Sequence, residues 1–69
     1  MAVLKINGED KTFDGALPET LKALLEFLSV NEATVVAEVD GRIIARGNFQ
    51  KTTLHDGQKI ELIRFVGGG

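Results

Sequence analysis

At 69 residues and a formal net charge of −2, the chain has room for one hydrophobic core and not two. It carries no field strong enough to recruit nucleic acid. The absence of cysteine and the presence of a single histidine, His55, exclude disulfides, thiolate metal sites and a cysteine nucleophile. They leave no histidine–carboxylate cluster at ligand spacing, so no metal site is expected.

A hydrophobic fraction of 43% belongs to a globular chain. No apolar run approaches the roughly 20 residues needed to cross a bilayer. The opening "MAVLKING" lacks the long apolar stretch of a secretory signal. The expectation is a cytoplasmic domain with neither membrane nor nucleic acid as partner. A core this small supplies only ~3–5 kcal/mol, so regular packing must do what disulfides do elsewhere.

In chain order, "VLKI" alternates, with Leu4 and Ile6 on one face and Val3 and Lys5 on the other, as in a half-buried strand. Asn7-Gly8 follows as a tight-turn pair, because both residues tolerate positive φ. "KTFD" reads as a short returning strand with Phe13 inward, and "EDK" before it as loop. The period then changes. Leu21, Leu24, Leu25 and Leu28 stand at i, i+3, i+4 and i+7, one stripe of a helix. Pro18 fits the first helical position, which would put Glu19 in the first turn against the helix dipole.

"ATVVAEVDGRIIAR" reads as a hairpin about Asp40-Gly41, with Val35, Ala37 and Val39 on one face and Val36 and Glu38 on the other. "GNFQKTTLHDGQ" is mostly irregular, anchored by Phe49 and Leu54. Asp56-Gly57 is the last turn, and "KIELIRFV" the last strand. The order is strand, strand, helix, strand, strand, strand. With one helix covering one sheet face, the last strand lies beside the first and parallel to it. That arrangement is the β-grasp: an α+β fold with a mixed sheet of about five strands and one main helix, expected over residues 1–66, with a glycine tail at 67–69.

Two features are left over once the core is assigned. Ile60 and Leu62 share a parity and should face the helix. Ile63 and Phe65 share the other, together with Glu61, and should face away from it. Two large apolar residues on an outward face form a candidate partner-contact patch. Beyond them run Gly67, Gly68 and Gly69. Without Cβ atoms such a thread is little wider than its backbone. It is costly to order until a partner holds it, so it can carry a terminal carboxylate into a narrow site on another protein. A carboxylate is a poor electrophile until ATP converts it to an acyl-adenylate, whose AMP a sulfur nucleophile can displace.

"VLKINGE", "AEVDGRIIAR" and "LHDGQKIELIRFVGGG", in that order over nearly the whole chain, resemble the ThiS family of thiamine-biosynthesis sulfur carriers, ubiquitin relatives with the β-grasp fold. The resemblance implies a substrate protein, not an enzyme. Gly69 would be adenylated by an E1-like enzyme with ATP and converted to a thiocarboxylate, with Gly68 its required neighbour and Gly67 a looser match. Sulfur would come from a donor such as a cysteine desulfurase system and pass to thiazole synthase for the thiazole ring. The carrier itself would bind no cofactor, ATP being used by the activating partner.

The same tail would also serve the small subunit of molybdopterin synthase, a carrier for cysteine synthesis or tRNA thiolation, or a ubiquitin-like modifier joined to lysines. The short "NFQKTTLHDGQ" segment argues against the molybdopterin group, whose members are longer there. Lys5, Glu38, Asp40 and Arg42 are scattered polar residues with no nucleophile–base pairing, so no catalytic residue is assigned.

Overall fold

The computed structural model describes residues 1–64. Strand β1, Ala2–Ile6, turns through Asn7-Gly8 directly into β2, Glu9–Phe13. The two strands pair antiparallel from Ile6 opposite Glu9 to Ala2 opposite Phe13. The turn has only two residues, with φ of 51° at Asn7 and 83° at Gly8. Both are left-handed, as the twist of a tight hairpin requires. The residues "EDK", expected as loop, are therefore the first part of β2. A two-residue turn leaves no slack, and the ladder starts at once. Phe13 points inward as expected and is buried.

The helix α1, Leu21–Phe27, is shorter than the sequence reading. Thr20 is its N-cap, in extended conformation, and its hydroxyl oxygen accepts from the Ala23 N–H at 3.2 Å. Pro18 and Glu19 therefore lie outside the helix, and no acidic residue sits in its first turn. The competing interaction is strand-like. Thr20 bridges Thr53, the Leu54 N–H donates to the Glu19 carbonyl, and the Leu21 N–H donates to the Thr52 carbonyl. Those bonds hold residues 19–20 extended and postpone helix nucleation. The leucine stripe behaves as read: Leu21, Leu24 and Leu25 are buried, and Leu28 packs against the core edge. Each fully buried leucine is worth about 1.5–3 kcal/mol.

After a 3-10 turn at Glu32–Thr34 come β3, Val35–Val39, and β4, Arg42–Ile44, an antiparallel pair closed by Asp40-Gly41. A 3-10 helix, Arg46–Lys51, occupies part of the segment expected to be irregular. It seats Phe49 in the core, and Leu54 follows it inward. The chain closes the sheet with β5, Lys59–Arg64.

The sheet has five strands in the order β2-β1-β5-β3-β4, with β5 parallel to β1 and antiparallel to β3. This is the mixed β-grasp sheet expected from the pattern. The core of Leu4, Phe13, Leu21, Leu24, Leu25, Val35, Ala37, Val39, Phe49, Leu54 and Ile60 lies between the helix side and one sheet face. No polar or charged residue is buried among the described residues.

Candidate functional site

The strand leading to the glycines, β5, is the centre of the sheet and its most heavily fixed element. Its buried residue Ile60 is fully enclosed, and Leu62 packs against the core on the same face. Ile63, of opposite parity, is 52% exposed. The face assignment read from the sequence holds through Ile63. Phe65, Gly67, Gly68 and Gly69 lie outside the described residues, as does the boundary drawn at 66.

Three turn residues hold β5 and its neighbour β1 by their side chains. Asp40 Oδ1 accepts from the Lys59 N–H at 2.9 Å, while its own N–H donates to the Lys59 carbonyl at 2.8 Å. Asp56 Oδ1 accepts from the Val3 N–H at 2.7 Å, and the next residue, Gly57, donates to the Val3 carbonyl. Asn7 takes Leu62 by both backbone groups. Its Oδ1 accepts from the Leu62 N–H at 2.7 Å and its Nδ2 donates to the Leu62 carbonyl at 3.3 Å. Asp40, one of the scattered polar residues, is thus a structural anchor. Lys5 reaches Asp10 at 3.7 Å across the β1–β2 pair.

The outward sheet face carries more apolar surface than Ile63 alone. Val36 lies opposite Ile63, and Ile43, 72% exposed, lies opposite Glu38, which itself faces Glu61. Val36, Ile43 and Ile63 therefore share one face in three adjacent strands. The sequence reading missed Val36, which lies opposite Ile63, and Ile43, which lies one strand further on the same face. The signal was present: counting back from a two-residue Asp40-Gly41 turn pairs 39 with 42 and 38 with 43, which puts Ile43 on the face of Glu38 and Val36.

On the helix side, a groove of about 280 Å³ is lined by Lys22, Glu32, Arg46, Gly47, Phe49 and Gln50. It contains no residue of β5 and no residue expected to act. Among the described residues no group of three or more histidines or carboxylates is placed to hold a metal ion, and no helix is long and apolar enough to cross a membrane.

Comparison with known proteins converges on one group. A sequence model of the ThiS family matches residues 4–69. The crystal structure of a thiamine biosynthesis protein (ThiS) from Geobacter metallireducens superposes with a TM-score of 0.82 at 38% identity, covering 97% of this chain and 99% of that one. A solution structure of a thiamine biosynthesis protein from the same organism gives 0.80 at 38% identity, covering 100% of this chain and 88% of the other. A protein named thiazole synthase from Paramagnetospirillum magneticum is 35% identical over 66 residues, which are 96% of this chain and 20% of that protein. The chain thus spans about a fifth of that relative. The Porphyra purpurea protein ycf40, described only as uncharacterized, is 33% identical over 96% of this chain and 90% of its own length.

Proposed function

The chain belongs to the ThiS family, and from that premise we propose that it is a sulfur carrier for thiamine biosynthesis whose working group is the carboxylate of Gly69. The observation that carries the reading is the extent of the family match, which runs through residue 69 and so includes the glycines as well as the folded domain.

The chemistry follows from what a carboxylate lacks. An E1-like partner presents ATP, a Gly69 carboxylate oxygen attacks the α-phosphorus, and pyrophosphate leaves. The product is an acyl-adenylate. A sulfide-level nucleophile then adds to the acyl carbon and AMP departs, so that a C–S bond replaces a C–O bond. The thiocarboxylate carries sulfur to the enzyme that builds the thiazole. The match to one fifth of a protein named thiazole synthase supports that acceptor, because a carrier-like segment there shares a chain with the named enzyme.

The folded domain supplies two things in this scheme. The central strand β5, paired on both sides and clasped at Lys59 and Leu62, aims the tail. Outward Ile63, with Val36 opposite it and Ile43 one strand further on the same face, offers apolar area that three glycines cannot, and Phe65, of the same parity in the sequence, is expected to add to it.

The test is incubation with an E1-like adenylating enzyme, ATP and sulfide, followed by intact-mass measurement and fragmentation. The expected product has one oxygen of Gly69 replaced by sulfur. A product joined through an isopeptide bond to lysine would replace the carrier reading with a modifier one. A mass change on an internal side chain would refute both.

A further inference from the structure

Asn7 is a turn residue, and its φ of 51° before Gly8 satisfies that role. Its side chain does something the turn does not require. Strand β1 ends at Ile6, and its ladder with β5 runs only through Lys5 opposite Lys59 and Ile6 opposite Ile60. The Asn7 N–H adds one bond to the Ile60 carbonyl at 2.9 Å. Past that point the main chain turns away into β2, while β5 continues for four more residues to Arg64.

The carboxamide of Asn7 takes the place of the missing strand. It presents one acceptor and one donor to Leu62, as a peptide unit of β1 would. Asparagine is the apt residue. Asp40 and Asp56 need only accept through their side chains, because a backbone N–H next to each supplies the donor. At position 7 the backbone N–H is already committed to Ile60, so the side chain must both donate and accept. A carboxylate there could accept from the Leu62 N–H but would face the Leu62 carbonyl with a second acceptor.

We infer that Asn7 is a positioning residue for the carboxyl-terminal segment. It extends the β1 edge by one peptide unit, locks Leu62, and thereby fixes the position and direction of β5 as far as Arg64, to which the carboxyl-terminal residues are joined. For its catalytic consequence this rests on the sulfur-carrier reading above. The clasp acts through the backbone of β5 and touches no reacting atom.

Two variants and two readouts decide the matter. Asn7→Gly keeps a residue at ease with positive φ and removes the clasp. Asn7→Asp keeps only the acceptor. By amide hydrogen exchange under native conditions, Asn7→Gly should lower protection of the Leu62 amide about tenfold relative to that of Lys59, which Asp40 still holds, with Asn7→Asp intermediate. Wild-type protection of Leu62 in Asn7→Gly overturns the inference.

In the adenylation assay, Asn7→Gly should lower kcat by about tenfold while KM moves less than about twofold, because docking surfaces stay intact and only the tail is misaimed. An unchanged kcat, or a KM that rises by the same factor, overturns the positioning role. If wild-type protein is not adenylated at all, the sulfur-carrier reading falls, while the exchange contrast still decides whether Asn7 fixes the strand.

Discussion

Ile60 and Ile63 are the same residue type in the same strand, three positions apart, and they differ in burial from 0% to 52% exposed. Truncating each to alanine isolates what the face assignment is worth. Ile60→Ala empties a site enclosed in the core, and such truncations cost about 2–5 kcal/mol. Ile63→Ala removes side-chain surface of which about half already meets water, so its transfer term is about 0.5–1 kcal/mol. The loss of β-branching is common to both and cancels in the difference. A chain of this length has roughly 3–10 kcal/mol of stability in all, and each kcal/mol shifts Tm by about 4–8 °C. Thermal unfolding followed by circular dichroism should show Ile60→Ala melting at least about 10 °C below wild type, or unfolded outright, with Ile63→Ala within a few degrees of it. In the same preparations Ile63→Ala should bind the E1-like partner more weakly. Equal destabilisation by the two substitutions would refute the face assignment, and the partner-contact patch would fall with it.

Other consequences can be checked with less. Phe65→Ser should weaken binding to both the activating enzyme and the sulfur acceptor by roughly ten- to a hundredfold, the worth of one buried phenylalanine, with little change in Tm; titration calorimetry paired with a melting curve tests it. Gly68→Val should leave the melting curve unchanged and sharply slow adenylation, because a side chain widens the thread; normal adenylation of that variant defeats the threading argument. Thr20→Ala should cost about 1 kcal/mol through loss of the cap on α1, measurable by urea titration, and a neutral result would mean that the bridge to Thr53 alone defines the helix start. Glu61→Gln should stabilise the fold by about 0.2–1 kcal/mol, since Glu38 and Glu61 are like charges directly opposite across β3 and β5; a loss of stability there would show that the pair is not repulsive.

The sheet order and the helix face were legible because they rest on periodicity. Three Asx-Gly turns, a leucine stripe and alternating strands leave few ways to assemble the chain, and parallel pairing of the ends is the way that buries Leu4, Ile60 and the helix together. Helix onset was misjudged because Pro18 is as compatible with extended chain as with a first helical turn. The choice fell to residues 52–54, distant in sequence, whose backbone pairs with 19–21. The 3-10 helix at Arg46–Lys51 was hidden for the opposite reason: Phe49 alone carries its burial, and one apolar residue has no period. At the candidate site, Ile63 could be placed by parity, whereas Val36 and Ile43 required pairing register. The Asn7 clasp needed both the register and the one-residue difference between where β1 stops and where β5 goes on.

Under the proposed carrier role, so small a chain would have to present its tail to another protein's active site. Any partner that orders the tail also loads the strand to which it is joined, and local opening of that strand would lose the aim. Strand β5 is the element least open to such loss. It is flanked by β1 and β3, it buries Ile60 completely, and it is held by Asp40 at Lys59 and by Asn7 at Leu62. The edge strands β2 and β4 carry little of this. Arg42 and Ile43 of β4 lie exposed, and in β2 only Phe13 is buried. With only a few kcal/mol in total and no cross-link to add more, placing side-chain clasps and full burial on the central strand that precedes the glycines holds β5 more firmly than the edge strands β2 and β4.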